Sequence, residues 1–100
     1  MDKEGLRQFK GEVSKGHDIS KLILFGSTAR GRYNKESDVD LILVGNEFKD
    51  KSILKRPVDF YLEWNLDMPV DFICFTPEEF EEKSKHIGIV SEALKEGIEI

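Results

Sequence analysis

Three short apolar runs constrain the fold of this chain more than any other feature of its sequence. They are KLILF at 21–25, VDLILV at 39–44 and VDFICF at 70–75. Each run has the length of a β-strand and is rich in β-branched or aromatic residues. Because the runs are nearly continuous rather than strictly alternating, we expect strands that are covered on most of both faces. The sequence therefore predicts a small three-stranded sheet flanked by helices.

The segment before the first run has the pattern of an amphipathic helix. Leu6, Phe9 and Val13 recur at helical spacing within residues 3–15. Gly16 follows at a position where helices often end. We expect a first helix here, with these apolar side chains turned toward the sheet.

A second apolar stripe with helical spacing lies between the second and third runs, formed by Leu54, Val58, Tyr61 and Leu62. It predicts a helix that ends near Trp64. Pro57 interrupts the pattern, because a proline inside a helix removes a hydrogen bond and kinks the chain. The helix is therefore expected either to bend at Pro57 or to begin a residue or two before it.

The sequence TPEE after the third run predicts the start of a C-terminal helix. Thr76 is the expected N-cap, Pro77 the first helical residue and Glu79 the partner in a capping box. A break is expected at the sequence HIG, and a stop at Gly97. The predicted buried stripe of this helix consists of Phe80, Ile87, Val90 and Leu94.

Length and composition favour one cytoplasmic domain over residues 1–100, since 100 residues support a single modest core. No apolar run approaches the ~18 residues of a membrane span, and the charged N-terminus lacks a secretory signal. The net charge of −5 argues against tight nonspecific binding to nucleic acid. Cys74 is the only cysteine, which excludes an intramolecular disulfide and a thiolate metal cluster and indicates a buried structural thiol.

Acidic residues begin the second and third runs. Side chains alternate along a strand, so Asp38 and Asp40 would point the same way, roughly 7 Å apart. Asp71 would meet them if its strand lies alongside, about 4.8 Å away. Such like charges oppose one another's ionisation, whereas Mg²⁺ with its preference for oxygen ligands would stabilise them. Each acid alone is typical of an ordinary strand end, so the prediction depends on their combination with the turn described next.

The sequence LFGS at the end of the first run has the features of a phosphate-binding turn. Gly26 lets the backbone pass close to a ligand, and Ser27 offers a hydroxyl and an amide. Residues 27–31 could begin a short helix whose N-terminal amides favour an anion. Arg32 and Lys35 add positive charge, but Arg30 lies closest to the turn.

These residues resemble a known pattern. FGSTARGRYNKESDVDL, with a third acid in VDFI, resembles the nucleotidyltransferase superfamily of DNA polymerase beta, and in particular its minimal stand-alone members from archaea and bacteria. In that family a hydrophobic residue, Gly and Ser precede Asp-hydrophobic-Asp by about ten residues, as in this chain. The resemblance covers nearly the whole chain. It implies an α/β (α+β) nucleotidyltransferase fold with a small mixed three-stranded sheet in the order 123.

The resemblance also implies a reaction, the transfer of a nucleoside monophosphate from a nucleoside triphosphate, ATP being expected, to an acceptor hydroxyl with release of pyrophosphate. By resemblance, Asp38 and Asp40 would hold two Mg²⁺ ions. Asp71 would join one ion and help to deprotonate the acceptor. The residues that would hold the β and γ phosphates are Gly26 and Ser27, with assistance from Arg30.

The acceptor is expected to come from another molecule, because no second domain is available to bind it. Minimal family members often act beside a HEPN-domain protein, and some are antitoxins that adenylylate a tyrosine of that ribonuclease toxin. The resemblance therefore favours protein adenylylation. Two alternatives stay open, adenylylation of a small molecule and a non-catalytic module that neutralises its partner by contact. Trp64 and Tyr61 could form a docking surface, although core packing is favoured for both; no role is assigned to His17 or His86.

Overall fold

A mixed four-stranded sheet forms the centre of the computed structural model, which describes residues 3–26, 29 and 39–100. The strand order in this part of the chain is β3-β2-β1-β4. β1 pairs antiparallel with β2 and with β4, whereas β3 runs parallel to β2. The first three strands thus have the predicted order and mixed direction. Their bounds are β1 Ile19–Phe25, β2 Val39–Gly45, β3 Val70–Phe75 and β4 Ile98–Glu99.

The fourth strand corrects the prediction of a three-stranded sheet. β4 pairs Ile98 with Leu24 and Glu99 with Ile23 of β1. The Ile100 amide extends this ladder by donating to the carbonyl of Leu22 at 2.8 Å. A strand of two residues is too short to show alternation or an apolar run, so it forms only because tertiary contacts bring it beside β1.

Four α-helices flank the described sheet. The helix α1 confirms the first predicted helix, and its apolar positions are buried as expected. A single 3-10 turn, Asn46–Phe48, follows β2. No helix in the described ranges is long and apolar enough to cross a membrane. The helix bounds are α1 Lys3–Gly16, α2 Val58–Glu63, α3 Pro77–Ser84 and α4 Ile89–Glu96.

The helix α2 is shorter than its sequence pattern suggests, and the side chains of its apolar stripe are exposed. The helix begins directly after Pro57, which is its N-cap residue. Leu54 therefore lies outside the helix and is 87% exposed, while Leu62 is 80% exposed. Phe60 is the side chain of α2 that enters the core. The apolar stripe therefore indicates where the helix lies but not which side of it faces the core.

The predicted capping box after β3 is confirmed. The Thr76 hydroxyl accepts a hydrogen bond from the Glu79 amide at 3.1 Å. The Glu79 carboxylate in turn accepts one from the Thr76 amide at 2.9 Å. Together these bonds satisfy two backbone donors that a helix start would otherwise leave without partners, and they fix the point where α3 begins.

The C-terminal helical region consists of two helices, separated near the predicted break. Phe80 of α3 and Val90 of α4 are buried as expected. Ile87 is fully exposed and Leu94 is 53% exposed, so this part of the predicted stripe was wrong. Ala93 is buried instead. The break resets the helical phase, and a single periodic stripe cannot continue across it.

The sheet is covered on both faces, which explains the continuous apolar runs. One layer contains α1 and α2, and its buried sheet residues include Leu22, Leu24, Leu41, Leu43, Phe72 and Cys74. The other layer contains α3 and α4, and its buried sheet residues are Ile23, Ile42 and Val44. Cys74 is buried as predicted, and desolvation raises the pKa of its thiol to about 12, which keeps it protonated and unreactive.

Candidate functional site

Three strand termini meet at one end of the sheet. β1 ends where β2 begins because the two strands are antiparallel, and β3 begins beside β2 because these two are parallel. The register pairs Phe25 with Asp40, and Asp40 with Asp71. The two carboxylates therefore lie on directly adjacent backbone positions, as the sequence predicted for neighbouring strands.

Both acids project from the same face of the sheet. Strand alternation places Asp40 on the face of Ile42, and Asp71 on the face of Ile73. Those apolar residues belong to the layer that packs against α3 and α4. Asp71 is exposed and Asp40 is half-buried. The acids thus lie on one face at the end of the sheet, and at least Asp71 is accessible to a ligand from solvent.

Gly26 follows the last residue of β1 and lies directly against Asp40. Its φ angle is +80°, a left-handed conformation that favours glycine. A Cβ atom at Gly26 would lie 2.6 Å from Oδ2 of Asp40, which is closer than such atoms approach. The sequence predicted that Gly26 allows close approach to a ligand. The structure adds that the absent side chain makes room for the Asp40 carboxylate.

Several predicted site residues lie outside the described residues: Ser27, Arg30, Arg32, Lys35 and Asp38. Their assigned roles stay predictions. Within residues 3–26, 29 and 39–100, no group of three or more His, Cys, Asp or Glu side chains has an arrangement suited to a metal ion. This part of the chain contains two of the three acids predicted to hold Mg²⁺, namely Asp40 and Asp71.

The chemistry of this pair fits a divalent cation. Like charges directly opposite each other on paired strands are destabilising. Asp40 and Asp71 face each other in this way across β2 and β3. Carboxylate oxygens are the ligands that Mg²⁺ prefers, and the ion usually takes one or two carboxylates together with water and phosphate oxygens. The pair can therefore contribute to a Mg²⁺ site that a triphosphate completes.

Tyr61 makes a contact that the sequence did not reveal. Its hydroxyl accepts a hydrogen bond from the Phe72 amide at 3.1 Å. Trp64, the other aromatic residue considered for a docking surface, packs edge-on against Phe9 with ring centroids 5.0 Å apart. Its indole Nε1 donates to the Met68 carbonyl at 2.8 Å. Core packing of Trp64 is thereby confirmed, whereas Tyr61 connects α2 to the start of β3.

Arg56 fastens the segment before α2 to the other end of β3. Its side chain is 8% exposed and forms two hydrogen bonds to the Glu79 carboxylate, at 2.7 and 3.2 Å. It also donates to the carbonyls of Cys74 and Lys51. The bonds from Arg56 lower the pKa of Glu79. A single arginine in a lysine-rich segment gives no sequence signal for this role.

His17, which has no predicted role, connects three elements. Its Nδ1 lies 2.9 Å from Oε2 of Glu47, and its Nε2 lies 3.0 Å from Oε2 of Glu63. Its ring also packs against Phe60, with centroids 4.5 Å apart. Burial alone would lower the pKa of His17, but the hydrogen bonds and charges of Glu47 and Glu63 outweigh it and raise the pKa. The protonated imidazole can donate to both carboxylates at once.

This arrangement predicts that stability falls as the pH rises. Because the pKa of His17 is raised above its ordinary value of 6.5, its contribution is complete below pH 6.5. It is lost as the pH rises through the folded-state pKa. Urea unfolding of wild type should show this loss as a fall in the free energy of unfolding, and His17→Gln should remove that pH dependence. His86→Gln is the control, since that ring is 69% exposed. An equal pH dependence in His17→Gln would contradict the assignment.

Comparisons with known proteins agree with this architecture. A nucleotidyltransferase domain family matches residues 6–98. A Methanocaldococcus jannaschii protein named "Putative protein adenylyltransferase MJ1379" is 31% identical over 97 residues, covering 96% of this chain and 90% of its own. A second protein of that organism, "Putative protein adenylyltransferase MJ1215", is 35% identical over 71% of this chain and 81% of its own.

A solved structure shows the same fold. It is described as a putative nucleotidyltransferase from Sulfolobus solfataricus, with a TM-score of 0.67 and 22% identity. The superposition covers 96% of this chain and 76% of that one. The family match extends over nearly all of the sequence and includes the sheet end that carries Gly26, Asp40 and Asp71. The chain therefore belongs to the nucleotidyltransferase domain family and is an enzyme of the nucleotidyltransferase class.

Proposed function

We propose that this protein is a Mg²⁺-dependent nucleotidyltransferase that moves AMP from ATP to a tyrosine hydroxyl of a partner HEPN-type toxin, as an antitoxin. The observation that carries the proposal is the placement of Asp40 and Asp71 on adjacent strands, beside Gly26, at one end of the sheet. Residues 1–100 act as one nucleotidyltransferase domain in the cytoplasm. The protein accordingly needs no membrane and no tight nonspecific contact with nucleic acid.

The acids of the site have separate roles in this proposal. Asp38 and Asp40 hold two Mg²⁺ ions, and Asp71 contributes to one of them. When bound, the ions supply positive charge that stabilises the attacking and leaving oxygens of an in-line displacement. The Asp71 carboxylate accepts the proton of the acceptor hydroxyl as its oxygen attacks the α-phosphorus of ATP. The bond from that phosphorus to the bridging oxygen of the β-phosphate breaks, and pyrophosphate leaves.

The turn after β1 binds the triphosphate tail in this proposal. Gly26 and Ser27 hold the β and γ phosphates through backbone amides and the serine hydroxyl, and Arg30 assists them. Support comes from Gly26 at the end of β1, which has a left-handed conformation and lies against Asp40. Phosphates held at this turn lie next to the metal-binding acids, so binding also positions the α-phosphorus for attack.

Protein rather than a small molecule is the proposed acceptor. Relatives that align over 90% and 81% of their own length carry the name protein adenylyltransferase. The resemblance to minimal nucleotidyltransferases adds the HEPN-domain protein as the acceptor class. The four helices of the described chain pack on the sheet and build its two core layers.

Transfer of label from ATP tests this proposal. The purified protein is incubated with Mg²⁺, ATP labelled at the α-phosphate and a HEPN-domain protein from the same organism. We expect label on the HEPN protein, located to a tyrosine by mass spectrometry, and none when EDTA is added or when that tyrosine is replaced by phenylalanine. Calorimetry with ATP and Mg²⁺ discriminates the alternatives. Absence of heat at millimolar ligand would favour a non-catalytic module, and binding without protein labelling would favour a small-molecule acceptor.

A further inference from the structure

The outer edge of β3 is covered by side chains rather than by another strand. Within the described part of the chain, β3 is the last strand of the sheet and pairs only with β2. Two of its outward backbone groups have side-chain partners. The Phe72 amide donates to the Tyr61 hydroxyl, and the Cys74 carbonyl accepts from Arg56. Such partners matter because an unpaired edge leaves polar backbone groups without hydrogen bonds.

The Tyr61 contact acts on the peptide group next to the candidate catalytic acid. The Phe72 amide belongs to the peptide bond that joins Asp71 to Phe72. Fixing that peptide plane restricts the ψ angle of Asp71 and therefore the position from which its side chain projects. Asp71 is the second residue of its strand, and the ladder to β2 begins just before it, where the Pro69 carbonyl accepts from the Val39 amide at 2.9 Å. A hydrogen bond on the outer edge of β3 therefore restrains the strand most at this end, where the ladder to β2 is only beginning.

Tyr61 is itself held in place on more than one side. Its ring packs edge-on against Phe72, with centroids 4.9 Å apart and an interplanar angle of 71°. The preceding residue, Phe60, is 1% exposed and anchors α2 in the core. The last residue of the helix, Glu63, bonds to His17. Tyr61 itself is 43% exposed, so these contacts of its ring and of its helix are what hold the hydroxyl against the β3 peptide.

From this geometry we propose that Tyr61 is a positioning residue for Asp71. Its hydroxyl holds the peptide after Asp71 and thereby restricts where the Asp71 carboxylate projects, on the strand position paired with Asp40. The proposal depends on the proposed function, since it assumes that Asp71 contributes to Mg²⁺ binding and accepts a proton. The bond is made to backbone, so Tyr61 acts through strand geometry and does not touch the substrate.

Tyr61→Phe tests the proposal because it removes only the hydroxyl and retains the ring that packs on Phe72. We expect kcat for AMP transfer to fall about tenfold, with the KM for ATP changed by less than about twofold. The Mg²⁺ concentration for half-maximal activity should rise, and the Phe72 amide should exchange with solvent faster. Leu62→Ala, at an 80% exposed neighbour on α2, should change none of these.

Arg56→Gln provides the comparison with a purely structural contact on the same edge. It removes the cap on the Cys74 carbonyl and should lower thermal stability while leaving the Mg²⁺ dependence unchanged. If Tyr61→Phe likewise lowers only thermal stability, with normal kcat and normal Mg²⁺ dependence, the positioning role is wrong.

If wild type transfers no AMP, the proposed function fails separately. The positioning role is then judged by Phe72 amide exchange and by Mg²⁺ binding followed on the Asp71 carboxyl signal, and it is overturned if Tyr61→Phe leaves both unchanged.

Discussion

Replacing Asp40 and Asp71 together by asparagine should lower AMP transfer about 1000-fold or more while leaving the fold intact. Asparagine preserves the shape of each side chain but removes the negative charges that would hold Mg²⁺, whose charge stabilisation is worth several kcal/mol. The same change leaves two neutral side chains on directly paired positions of β2 and β3. Thermal unfolding without metal should show that the variant keeps a cooperative fold, and initial rates with labelled ATP should show the loss of activity.

A charge-matched control separates the site from the overall charge of the protein. Asp59 on α2 and Asp67 before β3 are both exposed, and replacing both by asparagine changes the net charge equally. That variant should retain wild-type transfer rates. Near wild-type activity in the Asp40→Asn, Asp71→Asn variant would contradict the assignment of these two acids to the Mg²⁺ site. Loss of cooperative unfolding in that variant would show that the two side chains are needed for the fold and not only for activity.

The opposing pair of acids illustrates what a sequence can predict. Each acid begins a strand-length apolar run, and strand periodicity places such residues at the same end of adjacent strands. The pairing of Asp40 with Asp71 could therefore be predicted once the two runs were taken as neighbours. Register follows from the apolar pattern, because a shift by one residue would turn the buried side chains to the wrong face.

The contacts that were missed share a different physical origin. His17 lies 30 residues from Glu47 and 46 from Glu63, and Tyr61 lies 11 residues from its partner amide. Nothing in local spacing distinguishes these side chains from other polar residues at a surface. β4 was missed for the same reason, since its two residues acquire strand geometry only beside β1. Local periodicity thus predicts the layers of this fold, whereas tertiary contacts decide its short elements.

Gly26→Ala should cause the second large loss of activity, about 100-fold, through the geometry of Asp40. The alanine would have to adopt the backbone conformation of Gly26, with φ +80°. Its Cβ would lie 2.6 Å from Asp40 Oδ2. The left-handed conformation costs roughly 1–2 kcal/mol for a non-glycine residue. Relief of the close contact requires the Asp40 carboxylate to move away from the position it needs beside Asp71. Transfer rates and urea unfolding measure the two consequences.

Two further variants separate backbone strain from displacement of the carboxylate. Gly11→Ala lies in α1, where a Cβ meets nothing within 4 Å, so it should raise stability by roughly 0.5–1 kcal/mol and leave activity unchanged. In an Asp40→Ala background the carboxylate oxygen is absent. The loss of unfolding free energy caused by Gly26→Ala should then fall to the conformational strain alone. The difference between the two backgrounds measures the contact between Gly26 and Asp40. If Gly26→Ala lowers the unfolding free energy equally in both backgrounds, glycine is needed for the backbone conformation and not for the Asp40 carboxylate.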